Sequence, residues 1–255
     1  MTTNQTVGIN KIGLFAAMVI GCLLVFGSPL WATSDHSVYG ELLTEYTRDG
    51  HVDYAGLKAA ESRLDAYLDE LSVVDPETLS PHDRFAFFVN AYNAWTIKLI
   101  LSDYPGIESI KDLGNVFKSP WKRKFVVLNQ KKVTLDHIEN DILRPEFKDP
   151  RVHFAINCAS LGCPPLFNEP FIGNRLEQQL NTVTKAFIND NQYNRLEDNT
   201  LFVSKIFKWF KKDFNDDVIG FFEQYASREL RQQINERKTT LEIAYLDYDW
   251  GLNGR

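Results

Sequence analysis

In "AAESRLDAYLDELSVV", Leu64, Leu68 and Leu71 fall on one stripe, the spacing of an amphipathic helix. Upstream, "SVYGELLTEYTRDGHVDYAGLK" predicts a short helix, a turn at Asp49-Gly50 and a strand-like "HVDYAGL". The stretch "SPHDRFAFFVNAYNAWTIKLILSDYP" has a different pattern. Ser80 has the chemistry of an N-cap, Pro81 suits the first helical position, and Asp83 stands three residues past the cap. Beyond them the chain is apolar on nearly every side, which predicts a helix buried all round. Asn90 and Asn93 interrupt that helix on neighbouring surface positions. A buried amide left unpaired costs about 1–3 kcal/mol, so both asparagines need fixed partners.

Further along, "KFVVLNQKKVTL" reads as a β-hairpin, and "DHIENDILRPEF" as a helix with Asp136 and Glu139 forming a capping box. In "VHFAIN", Val152, Phe154 and Ile156 alternate with His153, Ala155 and Asn157, the pattern of a strand with His153 and Asn157 on one face. "NRLEQQLNTVTKAFIND" predicts a helix and "LFVS" a strand. "KIFKWFKKDF" and "DDVIGFFEQYASRELRQQI" predict helices, and "LEIAYLDYDW" a late strand that pairs with an earlier one. Helices and strands without regular alternation define an α+β class. No repeat, low-complexity tract or Gly/Ser linker interrupts residues 33–255, which read as a single domain.

The N-terminus changes the picture of where the chain works. Lys11 precedes the apolar run "IGLFAAMVIGCLLVFG", and "SPLWA" leads to the polar "TSDHS". That order predicts a secretory signal peptide over residues 1–32, cleaved after Ala32, and a periplasmic or secreted destination. An uncleaved anchor facing the periplasm is the alternative, and lipidation at Cys22 in "VIGC" a third. The apolar "LLVFG" after Cys22 favours a plain signal core. Contact with a membrane is expected only through this N-terminus. Removing residues 1–32 leaves 27 Lys and Arg against 34 Asp and Glu. The acidic balance argues against nucleic acid and against adhesion to anionic lipid.

Cys158 and Cys163 would be the cysteines left after cleavage, in the stretch "RVHFAINCASLGCPPLF". Three readings stay open there. In an oxidising compartment an isolated pair forms a disulfide, here closing a loop so short that its value is local rigidity. A thiol becomes a nucleophile when a histidine favours the thiolate, and His153 or His137 with Glu139 beside it could serve Cys158. A metal site has the least support, since the histidines are scattered and no second cysteine pair is present. A His137/Glu139/His153 assembly is the form it would take, and no cofactor or metal is expected. Asn90 and Asn93 could orient a histidine or line an oxyanion site, or tie the buried helix to a neighbouring loop.

The stretches "FAFFVNAYNAWTIKLI", "LDHIENDILRPEFKDPRVHFAINCASLGCPPL", "SKIFKWFKKDF" and "YDWGLN" together resemble the domain of unknown function 547 family, with a core at about 83–187. That resemblance confers no activity. It implies a distant likeness to the papain and transglutaminase superfamily: a buried central helix packed on a small, mostly antiparallel sheet, with extra helices. His153 would then be the histidine at the sheet, and Asn157 or Glu139 an orienting group. The superfamily's cysteine at the start of the central helix is absent, so Cys158 or Cys163 would have to reach in from the loop. The expectation is a thiol-dependent hydrolase or transferase acting on amide or isopeptide bonds, with a peptide or a small thiol or amide as substrate. Cys158 would be the nucleophile, His153 the base, and Asn90, Asn93 and Glu139 would assist. A non-catalytic binding or scaffold module with a structural Cys158–Cys163 disulfide is the alternative.

Overall fold

The computed structural model describes residues 1–4, 34–115 and 118–254. Residues 1–30 and 31–255 form separate units; in the first, only residues 1–4 are described, and they are exposed and irregular. The expected signal segment, its cleavage point and Cys22 lie outside the described residues.

The second unit is a mixed α+β domain. It begins with α1 (Ser37–Tyr46), the two-residue strands β1 (Thr47–Arg48) and β2 (His51–Val52), α2 (Tyr54–Ala59) and α3 (Glu61–Val73). The strand expected over "HVDYAGL" stops after Val52. The Asp53 side chain accepts from the Gly56 amide at 2.9 Å and starts α2 instead. The long helix α4 (Pro81–Leu101) begins as its sequence predicts, with the Ser80 hydroxyl accepting from the Asp83 amide and Pro81 at the first position.

Next come the hairpin β3 (Val126–Leu128) and β4 (Lys131–Val133), then a helical run made of α5 (Leu135–His137), a π-helical stretch (Ile138–Leu143) and α6 (Arg144–Phe147). Thr134, not Asp136, caps this run: its hydroxyl accepts from the His137 amide at 2.9 Å. Glu139 is thereby released from the capping role expected of it. Pro145 lacks the N–H that the Asp141 carbonyl would accept from, and the helix widens into its π stretch just before it.

Residues 152–157 are not a strand. Val152–Ala155 form the single turn α7, and Ile156 returns to extended backbone. All six residues are buried, so the apolar alternation marks no solvent-facing side and carries no strand information. The remaining elements are α8 (Leu176–Ile188), β5 (Arg195–Glu197), β6 (Thr200–Val203), α9 (Ile206–Trp209), α10 (Val218–Tyr225), α11 (Arg228–Arg237) and β7 (Glu242–Tyr245). The late strand β7 does pair with an earlier one, running parallel to β6, which is antiparallel to β5.

Helix α4 is the buried centre of the domain: Phe85 to Asn93 are all buried without a break. Its main packing partners are helical, namely the 3-10 turn Gly173–Arg175, α3, the π stretch and α2, rather than the three-stranded sheet. The two asparagines have the fixed partners their burial demands. Asn90 donates to the Phe171 carbonyl at 2.8 Å and accepts from the Phe171 amide at 2.9 Å. Asn93 donates to the Ala155 carbonyl at 2.9 Å and accepts from the Asn157 amide at 2.8 Å. Each side chain substitutes for a strand partner toward a segment that has none.

The C-terminal residues lie along the cysteine loop. The Leu161 and Gly162 amides donate to the carbonyls of Gly251 and Asp249, and the Asn253 amide to that of Ala159. Gly162 allows this approach, because a Cβ there would stand 2.9 Å from the Asp249 nitrogen. Further on, the Val52 amide donates to the Asn253 carbonyl, and the Tyr54 hydroxyl to Asn253 Oδ1 at 2.7 Å.

Replacing either asparagine strands two buried backbone groups, one carbonyl and one amide. Asn93→Ala and Asn90→Ala are each expected to lose about 3 kcal/mol in urea unfolding. The two should differ in the folded state. Asn93→Ala should disturb the near-ultraviolet circular dichroism of the cysteine loop, whereas Asn90→Ala should leave it as in the native chain.

Candidate functional site

The cysteine loop, the π stretch, α9 and the C-terminal residues together line an open cavity of about 240 Å³. Its walls include Tyr92 from α4, Trp121 from the loop before β3, Asp136 and Glu139 from the helical run, and His153 from α7. Cys158, Cys163, Trp209, Phe210, Tyr248 and Trp250 also line it.

Of the residues singled out from sequence, His153, Cys158, Cys163 and Glu139 meet at this cavity. Asn90, Asn93 and Asn157 do not line it. Asn157 is a clamp: its amide group donates to the Pro164 carbonyl at 2.8 Å, and its side-chain oxygen accepts from the Ala159 amide at 2.8 Å. That bond holds Ala159 in left-handed backbone, φ 62°, at the bend of the loop. His137 lies away from the cavity, with Nδ1 2.7 Å from Asp141 Oδ2 on the surface.

Cys158 and Cys163 are joined in a disulfide, their Cα atoms 6.2 Å apart. In this form neither sulfur is a thiol. The Tyr248 hydroxyl lies 3.1 Å from both sulfurs, and the Cys158 amide points at the Cys163 sulfur at 2.9 Å. Burial holds the Tyr248 phenol well above its ordinary pKa, so it stays a donor to the pair.

His153 contacts no sulfur through a hydrogen bond. Its Nε2 is 2.7 Å from Asp213 Oδ2, and its ring stacks on Phe210 with centroids 4.1 Å apart. Arg144 grips the same carboxylate, Nε to Oδ2 at 2.6 Å and Nη2 to Oδ1 at 3.1 Å. Burial raises the Asp213 pKa, but the bonds from His153 and Arg144 outweigh it and hold the group below the usual carboxylate range. For His153 the balance is reversed. Burial depresses its pKa more than Asp213 raises it, so the imidazole is neutral at pH 7. The pair is therefore a neutral histidine oriented by a carboxylate whose charge Arg144 neutralises.

Glu139 has no such cation. Its Oε2 accepts from the Tyr92 hydroxyl at 3.2 Å. Burial pushes its pKa up to about 7, against the pull of that bond and of Arg144, with Asp136 and Asp213 adding to the rise. A carboxyl poised near neutrality in a concave aromatic site has the properties of an acid–base or ligand-binding group. Its position follows from the π stretch, a helical irregularity that often accompanies functional sites.

Asp213, Arg144 and the aromatic residues were not singled out from the sequence. Asp213 reads as a charge after an apolar helix, and its partner His153 is 60 residues away. The signal for Tyr248 and Trp250 was the terminal "YDWGLN", distinctive in composition but silent about what it faces. No group of three or more His, Cys, Asp or Glu side chains among the described residues is placed to hold a metal ion. No helix among them is long and apolar enough to cross a membrane.

The fold and cavity define an α+β domain with one buried helix and an aromatic, carboxylate-bearing pocket closed by a disulfide. Residues 76–188 match the family model described as Protein of unknown function, DUF547, and the likeness is to that segment. The matched segment carries α4, Glu139, His153 and both cysteines of the pocket; Trp209, Asp213 and Tyr248 lie beyond it. No curated protein and no solved structure matches the chain.

The raised pKa of Glu139 has a consequence for stability. The folded chain binds a proton at Glu139 between the ordinary 4.5 and about 7, where the unfolded chain has released it. That contribution is full below pH 4.5 and is lost as pH rises through 7. His153 slopes the other way, its contribution falling as pH drops below its ordinary 6.5. Glu139→Gln removes only the first. Between pH 5 and pH 8 the variant is expected to gain on the native chain, on the order of 2 kcal/mol in urea unfolding. A gap that stays constant over this range contradicts the assignment.

Proposed function

We propose that the chain is an exported small-molecule-binding domain in which the Cys158–Cys163 disulfide is structural and holds one wall of the binding cavity. The single observation that carries this reading is the position of the disulfide, in the cavity wall beneath the Tyr248 hydroxyl. A cross-link closing so short a loop removes little chain entropy, so its effect is to fix that wall. The apolar N-terminal run and a bonded cysteine pair are both consistent with an oxidising compartment outside the cytoplasm. The ligand would contact aromatic faces and one titratable carboxyl, which is the usual composition of a small-molecule site.

A second reading is favoured by one feature: His153, oriented by Asp213, shares the cavity with Cys158. After reduction Cys158 would be a thiol near a neutral histidine, the pairing used for acyl transfer on amide or isopeptide bonds. A papain-like or transglutaminase-like scheme would supply the precedent. The start of α4, however, reads Pro81-His82-Asp83 with no cysteine.

Intact mass of the exported chain, alkylated before denaturation, separates the two. The binding reading predicts no alkylation of Cys158 or Cys163 until a reductant is added, and a mass consistent with cleavage after Ala32. A free thiol that alkylates rapidly near pH 6 would sink the structural disulfide and bring the hydrolase or transferase reading forward.

A further inference from the structure

The cavity is aromatic in a particular arrangement. Trp209 and Tyr248 have ring centroids 4.8 Å apart, Tyr248 and Trp250 4.5 Å, and Trp209 and Trp250 5.8 Å. Trp121 meets Trp250 edge-on at 6.0 Å. Three tryptophans and a tyrosine, packed against one another, thus line the same cavity. Trp209 is 47% exposed, which is rare for so large an apolar side chain on an otherwise well-packed domain. Its ring is left uncovered at the pocket.

The charges in the wall are of one sign. Asp136 and Glu139 line the cavity, and no lysine or arginine does. His153 lines it too, but its imidazole is neutral at pH 7. Two cations close to the wall are already engaged. Arg144 is paired with Asp213, and the Lys111 ammonium lies 3.7 Å from the Trp250 ring centroid. That contact is itself a cation–π pair, made by the chain's own lysine with a ring of the cluster. An anion would find no cation in the wall to receive it. A neutral apolar ligand would fill the rings and leave the carboxylates unused.

We propose that the cavity binds a small organic cation, a quaternary or protonated amine whose alkyl groups lie against Trp209, Tyr248, Trp250 and Trp121 and whose charge is met by Glu139 and Asp136. Aromatic faces attract such a cation through their quadrupole, and most strongly where water is excluded, as in cages that hold quaternary ammonium groups. This assignment rests on the binding reading above and names the ligand class for it.

Charge linkage follows from the same geometry. The groups around Glu139 are Asp136, Asp213, Arg144, His153, Tyr92 and Tyr248. Asp213 stays ionised below neutrality, Arg144 stays charged above it, and both phenols stay protonated. His153, with its depressed pKa, gains charge only on the acid side. A cation favours ionised Glu139, so binding tightens as pH rises from 6 to 8 and releases a proton on the lower side of that range.

Calorimetric titration of the oxidised, full-length chain with choline and with its neutral isostere 3,3-dimethylbutan-1-ol tests the proposal. Choline is expected to bind at least tenfold more tightly than the isostere at pH 8, and several-fold more weakly at pH 6. Glu139→Gln should lower choline affinity at least fivefold and flatten its pH dependence while leaving the isostere unchanged. Trp209→Phe should preserve most choline binding and Trp209→Ala should lose it. Trp209 is half exposed, so both variants are expected to fold. Equal affinity for the two probes, or choline binding indifferent to Glu139→Gln, overturns the cation assignment and leaves the binding cavity standing. Failure of both probes to bind, with the disulfide intact, overturns the cation assignment and removes the binding reading with it.

Discussion

The pair of hydrogen bonds between the Asn93 side chain and the backbone of residues 155 and 157 is the constraint on which the site depends. A helix as uniformly apolar as α4 has few ways to specify what lies against it. Asn93 supplies a donor and an acceptor at fixed spacing, and only a segment in extended conformation can answer both. Residues 155–157 are thereby pinned to the middle of the helix. From there the chain bends through Ala159 and closes the Cys158–Cys163 loop. That loop offers its amides to residues 249 and 251, which brings Tyr248 and Trp250 to the cavity. One buried amide thus links the centre of the fold to its C-terminus through backbone contacts in series.

Two carboxyls of the same neighbourhood are driven in opposite directions. Both are penalised by burial. Asp213 is compensated by a bidentate Arg144 and by His153, and it stays ionised. Glu139 has a phenol for a partner and no direct cation, and its proton is held to about pH 7. Separation of this kind lets one group act as a fixed structural charge while the other titrates under physiological conditions. Glu139 lines the cavity and is partly exposed, and its one hydrogen-bond partner is a phenol. A ligand of positive charge would take over the neutralising role that the proton plays in its absence.

Much of the fold was legible in the sequence because it was local. The cap and first turn of α4, the hairpin at 126–133, and the stripe Leu64-Leu68-Leu71 follow from short-range chemistry. The commitment of Asn90 and Asn93 to partners was legible too, though the partners were not, since Phe171 and residues 155–157 are 62 to 81 positions away. The strand expected over 152–157 failed where all six residues are buried and alternation distinguishes no faces. Glu139 was read as a cap because its spacing from Asp136 fits one; Thr134 holds that role, and the π stretch before Pro145 turns Glu139 elsewhere. Asp213, Arg144, Trp209 and Tyr248 carry no local signature of a site. They become one only when α6, α9 and the chain end converge.

The account stands on a carboxyl held near neutrality in an aromatic wall, and a site-resolved titration of Glu139 tests that most directly. The carboxyl carbon of Glu139, labelled with carbon-13 and assigned by comparison with Glu139→Gln, can be followed by nuclear magnetic resonance from pH 4 to pH 9. A midpoint near 7 that shifts downward when a cation is added is the result expected. A midpoint near 4.5, indifferent to added cation, would mean that water reaches the carboxylate freely. The cavity would then hold no carboxyl poised to answer a cation.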